Sequence, residues 1–96
     1  MYARVTHYEV RPDKVMEAQG LFREAHAIVR KVPGLKSFTN VMREDGKGLI
    51  LALYENKAAA GAAAPQVREY WMRFTAVLAA PPMLEDYATV LAPQPR

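Results

Sequence analysis

The spacing of apolar residues changes several times along the chain, and each change predicts a new element. The first segment, MYARVTHYEV, is rich in β-branched and aromatic residues that partly alternate with polar ones, which predicts a strand. The next segment repeats apolar residues at alternating steps of three and four, which predicts an amphipathic helix. This repeat consists of Val15, Ala18, Phe22, Ala25, Val29 and Val32. Pro33 cannot continue the helix and Gly34 tolerates the turn that follows, so the helix ends there.

The second half of the chain predicts a hairpin, two helices and a last strand. LKSFTNVMR predicts a strand, EDGKG the tight loop of a hairpin, and LILALYE a strand buried on both faces. The alanine-rich KAAAGAAA predicts a brief helix, with Asn56 as its N-cap. Pro65 suits the first position of a second long helix, PQVREYWMRFTAVLAA, which the proline pair at 81 and 82 ends. MLEDYATVLA then predicts the last strand.

The resulting order is β-α-β-β-α-β, with a small helical insertion before the second long helix. It predicts an α+β, ferredoxin-like fold in which helices cover one side of an antiparallel sheet. We expect residues 1–92 to form a single domain and residues 93–96 a frayed C-terminal tail. The strands hold more large apolar residues than one buried face needs, which predicts a partner subunit on the other face. These residues are Tyr2, Tyr8, Val10, Phe38, Met42, Leu49, Ile50 and Leu51.

Composition narrows the function classes. A hydrophobic content of 51% with 24% charged residues is typical of a globular protein. The net charge of +3 comes from cations scattered among acids, without a basic run, so we expect no nucleic-acid partner. No apolar run suits a signal peptide or approaches the roughly 18 residues that span a membrane. We therefore expect a cytoplasmic protein that does not bind membranes.

Patterns typical of cofactor sites are missing from the sequence. The chain has no cysteine, and His7 and His26 lack the spacing of metal ligands. GKG at 46–48 fits a hairpin turn rather than a nucleotide-binding loop. Ser37, the only serine, lies in a predicted strand without a nearby histidine. We expect neither a metal nor an organic cofactor.

The candidate chemistry centres on VREYWMRF, which holds the only tryptophan of the chain. Trp71 lies on the apolar face of the second long helix, so its ring should face the sheet. It is either a core residue or the wall of a pocket for a flat aromatic ligand, and the two interpretations are compatible. Tyr70, Phe74 and Phe38 would complete the lining of such a pocket.

Two polar residues are candidates for catalytic groups. Asn40 lies in the middle of a strand, where asparagine is unfavourable, so it is either a structural hydrogen bonder or a donor in the pocket. His7 shares a strand face with Ala3 and Val5, and we expect this face to lie beneath the helices. A histidine there could accept a proton from a ligand, although one satisfied by solvent or by hydrogen bonds fits the same pattern.

Three segments resemble the antibiotic-biosynthesis monooxygenase domain, a branch of the dimeric α/β-barrel proteins: VPGLKSF, LYENKAAA and PPMLEDYATVL. The resemblance runs from Tyr2 to Leu91 and implies a homodimeric barrel with a substrate cavity between helices and sheet in each subunit. The same fold serves cofactor-free oxygenation of phenols and quinols, haem degradation, and small proteins without known activity, so function must be argued from the site. Haem degradation needs an axial histidine on the last helix, and PQVREYWMRFTAVLAA has none.

The hypothesis that results is a cofactor-independent monooxygenase acting on a small aromatic phenol or hydroquinone. In such chemistry the substrate supplies the electrons, while the protein deprotonates it and positions it beside oxygen. His7 and Asn40 would be the polar groups of the pocket. The alternative is a non-catalytic ligand-binding or stress-related dimeric α/β-barrel protein, whose pocket holds an apolar ligand.

Overall fold

The computed structural model describes residues 1–91, so the predicted tail at 93–96 lies outside the described residues. The elements are β1 (Tyr2–Glu9), a 3-10 turn (Pro12–Lys14), α1 (Val15–Val29), β2 (Leu35–Met42), β3 (Lys47–Tyr54), α2 (Lys57–Ala62), α3 (Ala64–Met72) and β4 (Met83–Tyr87). The strands form one antiparallel sheet in the order β2-β3-β1-β4. The predicted α+β, ferredoxin-like fold is confirmed.

Helices α1 and α3 cover one face of the sheet. The ring of Tyr8 in β1 lies 5.2 Å from that of Phe22 in α1 and 5.8 Å from that of Trp71 in α3. Because successive side chains of a strand point to opposite faces, the even-numbered residues of β1 face the helices. We call this the helix side of the sheet, and the other the open face.

The core on the helix side is largely aromatic. Phe22 and Phe74 stack with their ring centroids 4.5 Å apart, and Tyr70 lies 5.0 Å from Phe74. A smaller cluster lies beneath α2, where the side chain of Asn56 accepts a hydrogen bond from the backbone N–H of Ala59 at 2.8 Å. This contact confirms Asn56 as the N-cap of that helix.

Helix α3 is shorter than the sequence predicts: it ends at Met72, whereas the prediction continues it to residue 80. Beyond it, the backbone bonds to the end of β1: the N–H of Arg11 donates to the carbonyl of Val77, and the N–H of Ala79 donates to the carbonyl of Glu9, both at 2.8 Å. The backbone groups of Val77 and Ala79 therefore bond to the end of a strand instead of continuing the helix. The side chain of Val77 is nevertheless buried.

The open face is largely apolar and has no covering element within residues 1–91. Ile50, Ala52 and Tyr54 of β3 are buried on the helix side, whereas Leu51 points to the open face and is 37% exposed. The expectation that this strand is buried on both faces is therefore met on one face only. The sequence analysis predicted a partner subunit from eight large apolar strand residues, and most of these lie on the helix side. The apolar residues of the open face are therefore a partly different set. That set is Ala3, Val5, Val41, Leu49, Leu51, Leu53, Met83 and Tyr87.

Within residues 1–91, the helices are too short or too polar for any of them to cross a membrane.

Candidate functional site

Helix α3 places the aromatic residues of VREYWMRF against the sheet, as the sequence predicts. The ring of Tyr70 lies 5.6 Å from that of Phe38 in β2 and 5.2 Å from that of Trp71. Phe74 is fully buried behind them, with its ring 5.6 Å from that of Trp71. Phe38, Tyr70 and Trp71 line a small cavity, whereas Phe74 supports Trp71 from within the core.

Two spaces adjoin Trp71. The inner cavity, of about 40 Å³, lies between α1, α3 and the sheet. The outer groove, of about 980 Å³, runs between α3, residues 78–82 and β4. Arg4, Val67 and Trp71 belong to the lining of both, so their side chains form the partition between the two spaces. Trp71 is therefore both a packing residue and a pocket wall.

The inner cavity is mostly apolar but includes two polar residues of α3. The hydroxyl of Tyr70 and the Oε1 atom of Gln66 are buried and have no hydrogen-bond partner within the described part of the chain. Burial raises the pKa of Tyr70 above its ordinary range, so its hydroxyl stays protonated. Gln66 was not among the predicted site residues. Its position one helical turn before Tyr70 is the sequence feature that could have predicted it.

An ion pair holds the partition in place. The Nε and Nη2 atoms of Arg4 lie 2.8 and 3.2 Å from the two carboxylate oxygens of Asp86 in β4. The hydroxyl of Tyr2 donates to the same carboxylate at 2.8 Å, and Nη1 of Arg4 donates to the carbonyl of Ala60 at 3.3 Å. The hydrogen bonds from Arg4 hold the pKa of Asp86 below its usual value. Sequence reasoning missed Arg4, although it has the same strand parity as Tyr2.

Asn40 acts as a structural hydrogen bonder. The hydroxyl of Tyr8 donates to its Oδ1 atom at 2.6 Å, and burial raises the pKa of Tyr8 to about 12. Asn40 lines neither the inner cavity nor the outer groove. Asn40 therefore contacts the site only indirectly: it binds the hydroxyl of Tyr8, and the ring of Tyr8 packs against Trp71. Tyr8 itself was missed as a site residue.

His7 does not lie beneath the helices, and the predicted placement is wrong. It shares a face with Ala3 and Val5, but that face is the open one, because Tyr8 occupies the helix side. The Nε2 atom of His7 lies 2.9 Å from Oε1 of Glu85 in β4, and its side chain is 51% exposed. The structure brings Trp71, Tyr70 and Phe38 together around one cavity and leaves His7 on the other side of the sheet.

Metal ligands are not gathered anywhere in residues 1–91: no group of three or more histidine and acidic side chains is close enough to hold an ion. The expectation that the protein uses no cofactor stays a prediction.

Comparison with known proteins identifies the fold. No family model and no curated protein matches the sequence. A Nitrosomonas europaea structure named "putative antibiotic biosynthesis monooxygenase" is 17% identical, covers 95% of this chain and 100% of its own, and has a TM-score of 0.80. A protein from Caulobacter crescentus CB15 with the same description is 21% identical over 94% of this chain and 90% of its own, with a TM-score of 0.79.

A third match carries a description of activity. A variant of SnoaB, named a cofactor-independent oxygenase from Streptomyces nogalater, is 15% identical over 95% of this chain and 94% of its own, with a TM-score of 0.75. These structures confirm the resemblance to the antibiotic-biosynthesis monooxygenase domain at the level of the fold. Because one fold hosts many chemistries, the activity has to be argued from the site.

Proposed function

We propose that this protein is a cofactor-independent monooxygenase that acts on a small aromatic phenol or hydroquinone. The observation that supports this proposal best is the position of Trp71 in the wall of both the inner cavity and the outer groove. A flat ring in the groove would contact the indole, while Met72 and Leu84 would shield it from water. That SnoaB, a protein of the same fold, is named a cofactor-independent oxygenase adds support.

The proposed reaction needs only the substrate and dioxygen. With 1,4-dihydroxynaphthalene, one oxygen atom would replace a ring hydrogen to give a hydroxyquinone, and the other would leave as water. All four electrons taken up by dioxygen come from the hydroquinone, so the equation balances without a further reductant. The protein would contribute binding and orientation through the ring of Trp71, with Phe74 behind it, while Tyr70 and Phe38 line the inner cavity on the other side of the indole. Asn40 would position Tyr8, which supports Trp71.

Isotopically labelled dioxygen tests the proposal directly. We expect 1,4-dihydroxynaphthalene to yield a hydroxyquinone with one labelled oxygen atom, at a rate that depends on the protein concentration. Spontaneous oxidation gives instead the unlabelled quinone and hydrogen peroxide. If only these two products form, at the rate measured in buffer, the protein is not an oxygenase for this substrate class.

A non-catalytic ligand-binding protein, including a stress-related one, is the second candidate. The observation that favours it concerns the linings of the two spaces, which contain no histidine and only one carboxylate, that of Asp86. This carboxylate is engaged by Arg4 and its pKa is lowered, which makes it a poor proton acceptor. Saturable binding of an aromatic ligand without turnover would support this candidate. Proton acceptance by His7 would require a substrate on the open face.

We also propose that the protein is a homodimer in which two open faces meet to form an α/β barrel. The apolar open face of each sheet, which includes the partly exposed Leu51, supports this arrangement. A cytoplasmic location and the absence of nucleic-acid and membrane partners complete the proposal. They rest on composition and charge pattern alone.

A further inference from the structure

Two buried polar atoms of the inner cavity have hydrogen-bonding capacity that residues 1–91 do not use. Tyr70 and Gln66 lie four residues apart on α3, so they occupy the same face of the helix one turn apart. Neither the Tyr70 hydroxyl nor Oε1 of Gln66 has a hydrogen-bond partner within residues 1–91, and Tyr70 is only 5% exposed. Buried polar groups in folded proteins nearly always have a partner. These two atoms therefore indicate a partner that residues 1–91 do not supply.

The two atoms require different kinds of partner. The Tyr70 hydroxyl stays protonated, because burial raises its pKa, and it can donate a hydrogen bond. Oε1 of Gln66 is a carbonyl oxygen and can only accept one. A hydroxyl group can accept from Tyr70 and donate to Gln66 at the same time. An ether or ketone oxygen satisfies Tyr70 alone and leaves Gln66 unpaired, which weakens binding.

The sizes of the two spaces suit a ring in one and a small polar group in the other. The inner cavity, of about 40 Å³, has room for a group the size of a hydroxyl or one water. The outer groove, of about 980 Å³, is at the upper end of the size of small-molecule pockets. The partition of Arg4, Val67 and Trp71 lines both of them. A ring that displaces part of this partition would lie beside Trp71 and direct its substituent towards Tyr70 and Gln66.

We propose that Tyr70 and Gln66 form a polar anchor that binds the hydroxyl group of an aromatic ligand whose ring lies beside Trp71. This inference rests on the proposed function for the ligand class, and it adds a preference within that class. Ligands that carry a free hydroxyl should bind more tightly than those whose oxygen only accepts. For a hydroquinone that becomes a quinone, the anchor would favour the substrate over a product whose anchored hydroxyl has become a carbonyl.

Two probes with the same ring system test the anchor. 2-Naphthol can donate and accept a hydrogen bond through its oxygen, whereas 2-methoxynaphthalene can only accept. Titration calorimetry without oxygen separates binding from turnover. We expect the wild-type protein to bind 2-naphthol about tenfold more tightly, a factor that corresponds to one net hydrogen bond. Gln66→Leu should make the two affinities equal, and Tyr70→Phe should weaken 2-naphthol binding by about the same factor.

Matched substitutions elsewhere control for indirect effects. Tyr87→Phe removes a tyrosine hydroxyl on the open face, on the other side of the sheet from the inner cavity, and Gln19→Leu changes an exposed glutamine on α1. Neither control should alter the preference for 2-naphthol, and unfolding temperatures will show that each variant is folded. Equal affinity of the wild-type protein for both probes would overturn the anchor, as would no binding of 2-naphthol, which would leave water as the partner of both atoms. If 2-naphthol binds with this preference but 1,4-dihydroxynaphthalene is not turned over, the proposed oxygenase activity is refuted and the anchor is not.

Discussion

Gly48 provides the space that the ring of Tyr8 occupies. An alanine at this position should displace Tyr8 and so alter the packing of Trp71. Gly48 pairs directly with Tyr8 across β1 and β3. A Cβ atom at position 48 would clash with the Cζ and hydroxyl oxygen of Tyr8 and with the backbone oxygen of Val41 in β2. The ring of Tyr8 has to give way, and the backbone at Val41 has to shift as well. Gly48→Ala should therefore break the hydrogen bond from Tyr8 to Asn40 and loosen the support of Trp71.

The cost of Gly48→Ala follows from its separate contributions. Losing the hydrogen bond between Tyr8 and Asn40 costs about 1 kcal/mol. Forcing an extra methyl group into packed surroundings costs about 1–3 kcal/mol. Replacing a strand glycine by alanine stabilises by about 0.5–1 kcal/mol, which offsets part of the loss. The free energy of unfolding should fall by about 1–3 kcal/mol, which lowers the unfolding temperature of a domain of this length by roughly 5–20 °C.

Thermal unfolding followed by the fluorescence of Trp71 measures this change. Gly61→Ala is the matched control, because nothing lies within 4 Å of the added Cβ in α2, and it should stabilise by about 0.5–1 kcal/mol. In a Tyr8→Leu background the cost of Gly48→Ala should shrink, since the clashing end of the tyrosine is gone. An unchanged unfolding temperature for Gly48→Ala would refute the reasoning. An equal cost in both backgrounds would trace the strain to Val41 instead of Tyr8.

Three further expectations follow from the two faces of the sheet. If chemistry occurs on the helix side, His7→Ala should leave turnover unchanged, whereas a loss of ~10²-fold would place proton transfer on the open face. Because Arg4 lowers the pKa of Asp86, their pairing stabilises the fold above about pH 4 and is lost as the pH falls through the lowered pKa. Asp86→Asn should remove this acid dependence of the urea midpoint, on the order of 0.5 kcal/mol for so exposed a pair. Light scattering should give about twice the 10.8 kDa chain mass, and a monomer at micromolar concentration would contradict the barrel.

The elements whose signals are local were predictable from the sequence. The apolar repeat between Val15 and Val29 predicts α1 because a helix buries one face, and the structure contains that helix. Helix α3 was predicted too long, because the partners that end it, the backbone groups of Glu9 and Arg11, come from a distant part of the chain. Local periodicity contains no information about such partners. The order of elements was sufficient for the fold even though this boundary was wrong.

The face of β1 was misassigned because both sets of alternate residues fit a buried position. Ala3 and Val5 are small and apolar, whereas Tyr2 and Tyr8 have large rings with a polar end. The structure buries the tyrosines beneath the helices, since their rings fill more of the core and their hydroxyls find Asp86 and Asn40. Those partners lie on other strands. The sequence of β1 alone therefore predicts the strand but does not decide which set of alternate side chains faces the helices. The predicted position of His7 is wrong because it depended on that assignment.

The polar groups around Trp71 divide into those that satisfy one another and those that do not. Tyr8 bonds to Asn40, and Arg4 bonds to Asp86, so both pairs are complete without a ligand. Substitutions in either pair should first change stability and the position of the walls. The Tyr70 hydroxyl and Oε1 of Gln66 differ in having no hydrogen-bond partner within residues 1–91, so a ligand would gain most by bonding to them. Hydrogen-bond satisfaction, rather than residue type, thus separates the residues that hold the cavity walls from the two that the proposed anchor assigns to ligand selection.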